Sequence, residues 1–188
     1  PTRAAVENLA REGTTVGVHA VGDVMLDAKL YAANQIVKVS TIVDDLGVSE
    51  APFALCTLHR AETTDNPETL ARALAFVESA AREQTVIFPV HPRTHKALEG
   101  SPRTPANVRM ISPVSYFDMQ ALLAACQLVF TDSGGLQKEA YFHRKPCITL
   151  RDETEWVETI EAGWNRLWIT TDWVSPRRDI PDYGDGHA

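Results

Sequence analysis

The chain has 188 residues, enough for one sizeable α/β domain, and its 44% hydrophobic and 23% charged residues are those of an ordinary globular protein. A formal net charge of -7 argues against a general nucleic-acid binder, which carries a basic face, yet leaves room for an anionic small molecule held by a few placed donors. Cys56, Cys126 and Cys147 sit in apolar runs without metal or redox spacing, and no run is long and apolar enough to span a membrane, so a reduced cytoplasmic setting is expected.

Residues 2–12 read as a helix, with Thr2 as its cap, Val6 and Leu9 on one face and Gly13 as the stop. The apolar run VGVHAVGDV follows, then a second amphipathic stretch in which Leu26, Leu30, Ala33 and Val37 recur at helical spacing. From Pro52 the beat becomes regular. FALCTL reads as a buried strand, and Asn66-Pro67-Glu68 opens a helix with a side-chain cap, a first-turn proline and an acid near the positive end. Leu70, Leu74, Val77 and Ala81 form the inward face of that helix. TVIFPV, VRMIS, QLVFTD, CITL and RLWIT read as further strands, with helices expected over 93–98, 118–126, 135–142 and 154–161. Short apolar strands alternating with helices predict a parallel sheet covered on both faces, whose ligands bind beyond the strand carboxyl ends. The chain opens inside a helix and closes on a turn-rich tail, IPDYGDGHA, a pattern expected of a piece cut from a longer protein.

Four polar segments follow strand-like runs. In Thr131-Asp132-Ser133-Gly134-Gly135-Leu136-Gln137-Lys138-Glu139 the glycines let backbone N–H groups approach a ligand, and the helix start offers unpaired donors. That suits a diphosphate, with Glu139 one turn further along, at the distance of ribose hydroxyls; a tight turn with a solvated glutamate is an even alternative. Thr57-Leu58-His59-Arg60-Ala61-Glu62 places an imidazole, a guanidinium and a carboxylate together. A polar loop before a helix explains it slightly better from composition alone. His91, between Val90 and Pro92, is weak by itself, and the acids of 151–158 read as a solvated face on a helix capped by Thr154, with Val157 and Ile160 inward. No metal-ligand spacing, nucleophile elbow or dinucleotide fingerprint is present.

Taken together and in this order, these segments resemble the non-hydrolysing UDP-N-acetylglucosamine 2-epimerases. TLHRAETTDNP is similar to that family's THR-x-EN segment, with Thr63 where asparagine is usual. TDSGGLQKEA is similar to TDSGG-x-Q-E-E, with Lys138 replacing the first paired glutamate, and KPCITLRDETEWVETIEAGWN to KP-x-L-x-x-R-x-x-TE. PT-x-x-AVENL-x-REG followed by VGD resembles the junction between the family's two domains. The resemblance implies one Rossmann-like half of a two-domain enzyme of the GT-B type. Residues 1–38 would be the junction and lead-in, and 39–188 the UDP-binding domain without its last helix.

The resemblance further implies that Ser133, Gly134, Gly135 and Glu139 hold UDP, the last through ribose hydroxyls, with Val114 and Met119 against the uracil. His59 matches the family's active-site histidine, flanked by Arg60 and Glu62. His91 matches a histidine that in some bacterial members touches a second UDP-sugar, although VHPRT departs from their pattern. The implied reaction inverts C2 by eliminating and re-adding UDP without a cofactor, using carboxylates of a first domain that this sequence lacks. The implied partners are a UDP-sugar, that first domain and, for the intact enzyme, a second copy. The epimerase acting on UDP-2,3-diacetamido-glucuronic acid is the nearest alternative. A GT-B glycosyltransferase half and a non-catalytic UDP-sugar-binding module are more distant ones.

Overall fold

The computed structural model describes residues 1–81, 84–99 and 105–188, with 34–38 described by their backbone only. Six parallel strands form one sheet: β1 (Phe53–Thr57), β2 (Thr85–Pro89), β3 (Val108–Ile111), β4 (Leu128–Thr131), β5 (Cys147–Thr149) and β6 (Asn165–Leu167), in the order β3-β2-β1-β4-β5-β6. The chain therefore winds outward in one direction from β1 to β3, then returns to the other side of β1. The switch point lies between β1 and β4, which pair from Ala54↔Leu128 to Thr57↔Thr131. This is the doubly wound Rossmann order, and the alternation of short apolar runs with helices predicted its class.

Successive strand side chains point to opposite faces, and the core divides accordingly. Ala54, Cys56, Val86, Phe88, Phe130 and Ile148 face one cluster, closed by Leu70, Ala73, Leu74, Val77 and Ala81 of helix α5 (Pro67–Ala81). Phe53, Leu55, Ile87, Val129 and Cys147 face the other. That face is covered by α7 (Tyr116–Ala125) through Leu122 and Leu123, and by α8 (Gly134–Phe142) through Leu136 and Ala140. β1 is buried along its whole length, as a central parallel strand must be. All three cysteines are free and buried, with burial pushing each thiol up.

The lead-in departs from a simple amphipathic reading. In α1 (Arg3–Arg11) Thr2 caps as expected, its hydroxyl accepting from Ala5 N at 3.3 Å, but no residue of the helix is buried and Leu9 is exposed. The run VGVHAVGDV is irregular backbone up to its last residue, Val24, which opens the next helix, and Val16 and Val21 are exposed. Helix α2 (Val24–Val39) packs on α7 and α8. Val37, predicted on its inward face, lies outside the described side chains. Tyr183, in a 3-10 turn at Pro181–Tyr183, is almost fully buried against Tyr141, Phe142, Met25 and Leu26, tying the tail to α2 and α8.

The helix predicted over 154–161 begins later, as Val157–Glu161. Thr154 uses its hydroxyl elsewhere: it donates to Gln137 Oε1 at 2.6 Å and accepts from Trp156 N at 3.1 Å. Val157 is exposed and Thr159 takes the buried position, donating to Trp156 O at 2.7 Å.

One buried ion pair joins the lead-in to α8. Asp23, at the start of α2, accepts from Met25 N at 2.9 Å and from Lys138 Nζ at 2.7 Å, and Lys138 also lies 4.3 Å from the centre of the Trp156 ring. Both charged residues are buried, so removing one strands the other. Asp23→Ala should lower the unfolding free energy by about 3–5 kcal/mol in urea titrations, the range for breaking a buried pair. Adding Lys138→Met should recover part of that loss.

Candidate functional site at the strand switch point

The carboxyl ends of β1 and β4 lie side by side, and their loops are held together by one buried carboxylate. Asp132 is fully buried and accepts from His59 N at 3.2 and 3.1 Å and from Arg60 N at 3.0 Å. Below it Thr57 and Thr131 share a buried hydroxyl contact of 2.7 Å, and Ser133 N donates to Thr131 Oγ1 at 2.9 Å. The β1 loop and the Ser-Gly-Gly turn therefore form one rigid unit.

That unit borders a cavity of about 270 Å³. His59, His91, Val114, Met119 and Ser133, five of the sequence-predicted residues, line it together with Leu136 and Pro113. A larger surface hollow of about 710 Å³ between Gln84 and Arg177 contains none of these five. His59 presents a 40% exposed side chain, its Nδ1 3.5 Å from Asp132 Oδ1 and its ring centre 5.9 Å from that of His91. His91 also caps helix α6 (Pro92–Leu98), its Nδ1 accepting from Arg93 N at 3.2 Å. Arg93 is held in turn by Asp65 through bonds of 3.1 and 2.6 Å.

Ser133 caps α8, and Gly134 and Gly135 form its first turn, where backbone N–H groups have no partner within the helix. A Cβ on Gly134 would sit 3.2 Å from Trp156 Nε1 and 3.6 Å from Arg60 Nη2, so only glycine fits there without displacement. Arg60 lies 3.7 Å from Glu155 Oε1, and Arg151 grips the same carboxylate with bonds of 2.9 and 3.0 Å. Three of the four acids of 151–158 are thus engaged rather than simply solvated: besides Glu155, Asp152 accepts from Trp168 Nε1 at 2.7 Å and Glu158 from Tyr183 Oη at 2.8 Å, while Glu153 is exposed. Glu62, in the short helix Ala61–Thr64, is exposed and lies outside the cavity lining.

Glu139 also lies outside the cavity, one turn further along α8. Gln120 is fully buried beneath it, donating to Glu139 Oε1 at 3.0 Å while its Oε1 meets His143 Nε2 at 2.8 Å. Burial raises Glu139 to about 7, outweighing the opposing pull of the Gln120 bond and the Lys138 charge. Burial lowers His143 to about 4, helped by the charges of Lys29 and Lys145.

Asp132 and Lys138 stand inside the TDSGGLQKEA segment with no role that the sequence assigns to either. For Asp132 the signal was available, because an acid directly after a central buried strand must find donors in the adjoining loops. For Lys138 no local signal exists, since its partner Asp23 is 115 residues away. Among the described residues no three His, Cys, Asp or Glu side chains are grouped to hold a metal ion, and no helix is long and apolar enough to cross a membrane.

The strand order, the switch-point cavity and the glycine-opened helix define a doubly wound α/β domain of the kind that takes its ligand at the strand carboxyl ends. The family model described as UDP-N-acetylglucosamine 2-epimerase matches residues 1–175. A UDP-N-acetylglucosamine 2-epimerase homolog of Methanococcus maripaludis is 47% identical over 174 residues, covering 89% of this chain and 48% of that protein. The UDP-2,3-diacetamido-2,3-dideoxy-D-glucuronate 2-epimerase of Pseudomonas aeruginosa is 42% identical, covering 89% of this chain and 47% of that one. The crystal structure of Methanocaldococcus jannaschii UDP-GlcNAc 2-epimerase in complex with UDP-GlcNAc and UDP superposes with a TM-score of 0.84 at 31% identity. It covers 100% of this chain and 57% of that one. The chain belongs to the UDP-N-acetylglucosamine 2-epimerase family and spans about half the length of the curated relatives it matches.

The Glu139–Gln120–His143 trio predicts two opposed pH effects on stability. Glu139, raised in the folded state, contributes stability that is present below about 4.5 and lost as pH rises through about 7. His143, depressed in the folded state, contributes stability present above about 6.5 and lost as pH falls through about 4. Their contributions to the wild-type profile should largely cancel between those limits. Glu139→Gln should uncover a rise in stability with pH across the window, on the order of 2–3 kcal/mol, in urea titrations at stepped pH.

Proposed function

We propose that this chain is the nucleotide-binding half of a UDP-N-acetylglucosamine 2-epimerase and holds the UDP portion of the substrate at the switch-point cavity. The observation that carries the reading is the cavity itself. Histidines from two strand ends, an apolar wall of Val114 and Met119, and Ser133 of the Ser-Gly-Gly turn meet in one place at the mouth of β1 and β4.

In this reading the diphosphate rests on the N–H groups of Gly134 and Gly135 at the positive end of α8 and on the Ser133 hydroxyl, because the Ser133 N–H is already given to Thr131 Oγ1. The uracil lies against Val114 and Met119. Glu139 takes the ribose hydroxyls, its Gln120 bond keeping the carboxyl turned one way. His59 faces the departing diphosphate, with Arg60 and Glu62 flanking it and His91 available to a second sugar nucleotide. Elimination of UDP across C1–C2 and its re-addition with a proton on the opposite face then invert C2. Removal of the C2 proton is assigned to carboxylates in the half of the relatives that this chain does not match. Residues 1–38 serve as the junction to that half, and the complete enzyme works as a homodimer.

A second substrate reading has its own support. The 42% identity to the diacetamidoglucuronate epimerase approaches the 47% to the epimerase homolog, so the same elimination on UDP-2,3-diacetamido-glucuronic acid is the alternative. Assaying the complete protein with both substrates in D2O distinguishes them. Deuterium should enter C2 of one substrate only, and exchange on neither would overturn the epimerase reading.

The binding half can be tested on its own. The chain should bind UDP measurably by titration calorimetry, and Glu139→Ala should lose about 1–3 kcal/mol by leaving ribose hydroxyls unpaired. With 2'-deoxy-UDP the difference between wild type and variant should shrink. Equal affinity of both proteins for UDP would remove Glu139 from the ribose.

A further inference from the structure

The proposed function gives His59 a ligand-facing role but does not say which ring nitrogen faces the ligand. Asp132 supplies the answer. Its carboxylate is fully buried, and no lysine or arginine lies within ion-pair distance among the described residues. Its Oδ2 accepts from Arg60 N at 3.0 Å and His59 N at 3.1 Å. Its Oδ1 accepts from His59 N at 3.2 Å and lies 3.5 Å from His59 Nδ1. Both oxygens of an ionised carboxylate are acceptors only. A lone pair on Nδ1 facing them at 3.5 Å would be repelled, whereas an Nδ1–H is attracted.

We infer that Asp132 is the positioning residue of His59, fixing the neutral ring with its proton on Nδ1 and turning the Nε2 lone pair toward the cavity. This rests on the reading of His59 as the ligand-facing residue of the site. His91 is set the other way. Its Nδ1 accepts from Arg93 N, so its proton sits on Nε2. The two rings, 5.9 Å apart in one cavity, therefore carry opposite tautomers. His59 offers the cavity an acceptor and His91 a donor. When His59 takes up a second proton at Nε2, it can present that proton to an anionic oxygen while Asp132 balances the ring charge.

The tautomers are directly measurable. The chain labelled with 15N-histidine, at a pH where the rings are neutral, should show His59 with the pyrrole-type signal on Nδ1 and His91 with it on Nε2. His59→Gln and His91→Gln assign the two signals. In Asp132→Asn the amide oxygen can still accept from Arg60 N, and the NH2 group replaces Oδ1 opposite the ring. His59 should then flip to the Nε2–H form while His91 stays unchanged. A wild-type His59 protonated on Nε2, or a folded Asp132→Asn variant whose His59 keeps its proton on Nδ1, overturns the inference. If Asp132→Asn does not fold, the wild-type spectrum still decides. UDP titrated into the same wild-type sample tests the binding reading separately: absence of binding would sink that reading and leave the tautomer result standing.

Discussion

A carboxylate taken out of water needs donors from every side it presents, and in this fold Asp132 draws them from another loop. The N–H groups of His59 and Arg60 come from the loop after β1, while Asp132 directly follows β4. The parallel pairing of β1 with β4 brings the two loops level, and the buried charge makes their separation costly. The site geometry depends on that requirement. If the β1 loop moved, His59 would leave the cavity, Arg60 would leave Gly134, and Asp132 would be left without donors.

Much of the fold was legible because it rests on short-range chemistry. Apolar runs such as FALCTL and TVIFPV are long enough for buried strands and too short for helices, and Asn66-Pro67 marks a helix start by its cap and its fixed φ. The sharp errors lie where a side chain found a distant partner. Thr154 reads as a cap by local rules, but its hydroxyl is engaged by Gln137 and the helix starts three residues later. Val6 and Leu9 share a helix face as periodicity predicts, yet that face is not buried within the described residues.

The site was legible in part for the same reason. A strand running into Ser-Gly-Gly is a local pattern, and the resemblance of the surrounding segments added residues that composition alone would leave as ordinary loop. Spatial grouping was less accessible. His59, His91, Val114, Met119 and Ser133 share one cavity, whereas Glu139 shares a buried network with Gln120 and His143, and Glu62 stands in solvent. Neither the substitution of Lys138 for a glutamate nor its pairing with Asp23 follows from spacing, because the partner comes from a different part of the chain.

The Arg60–Glu155–Arg151 cluster beside Gly134 has a consequence for how an anion would reach the proposed diphosphate site. Two guanidinium groups share the Glu155 carboxylate, and the charges of Glu153 and Glu62 also act on Arg151, so the cluster carries no positive excess in a chain whose total is -7. Beyond a screening length of roughly 8–10 Å in physiological salt, an approaching phosphate meets no attractive field from such a balanced cluster. Capture is then governed by diffusion and contact rather than long-range steering, and its rate should depend only weakly on ionic strength. Such a pocket favours a ligand for the fit of its oxygens to fixed donors rather than for the magnitude of its charge.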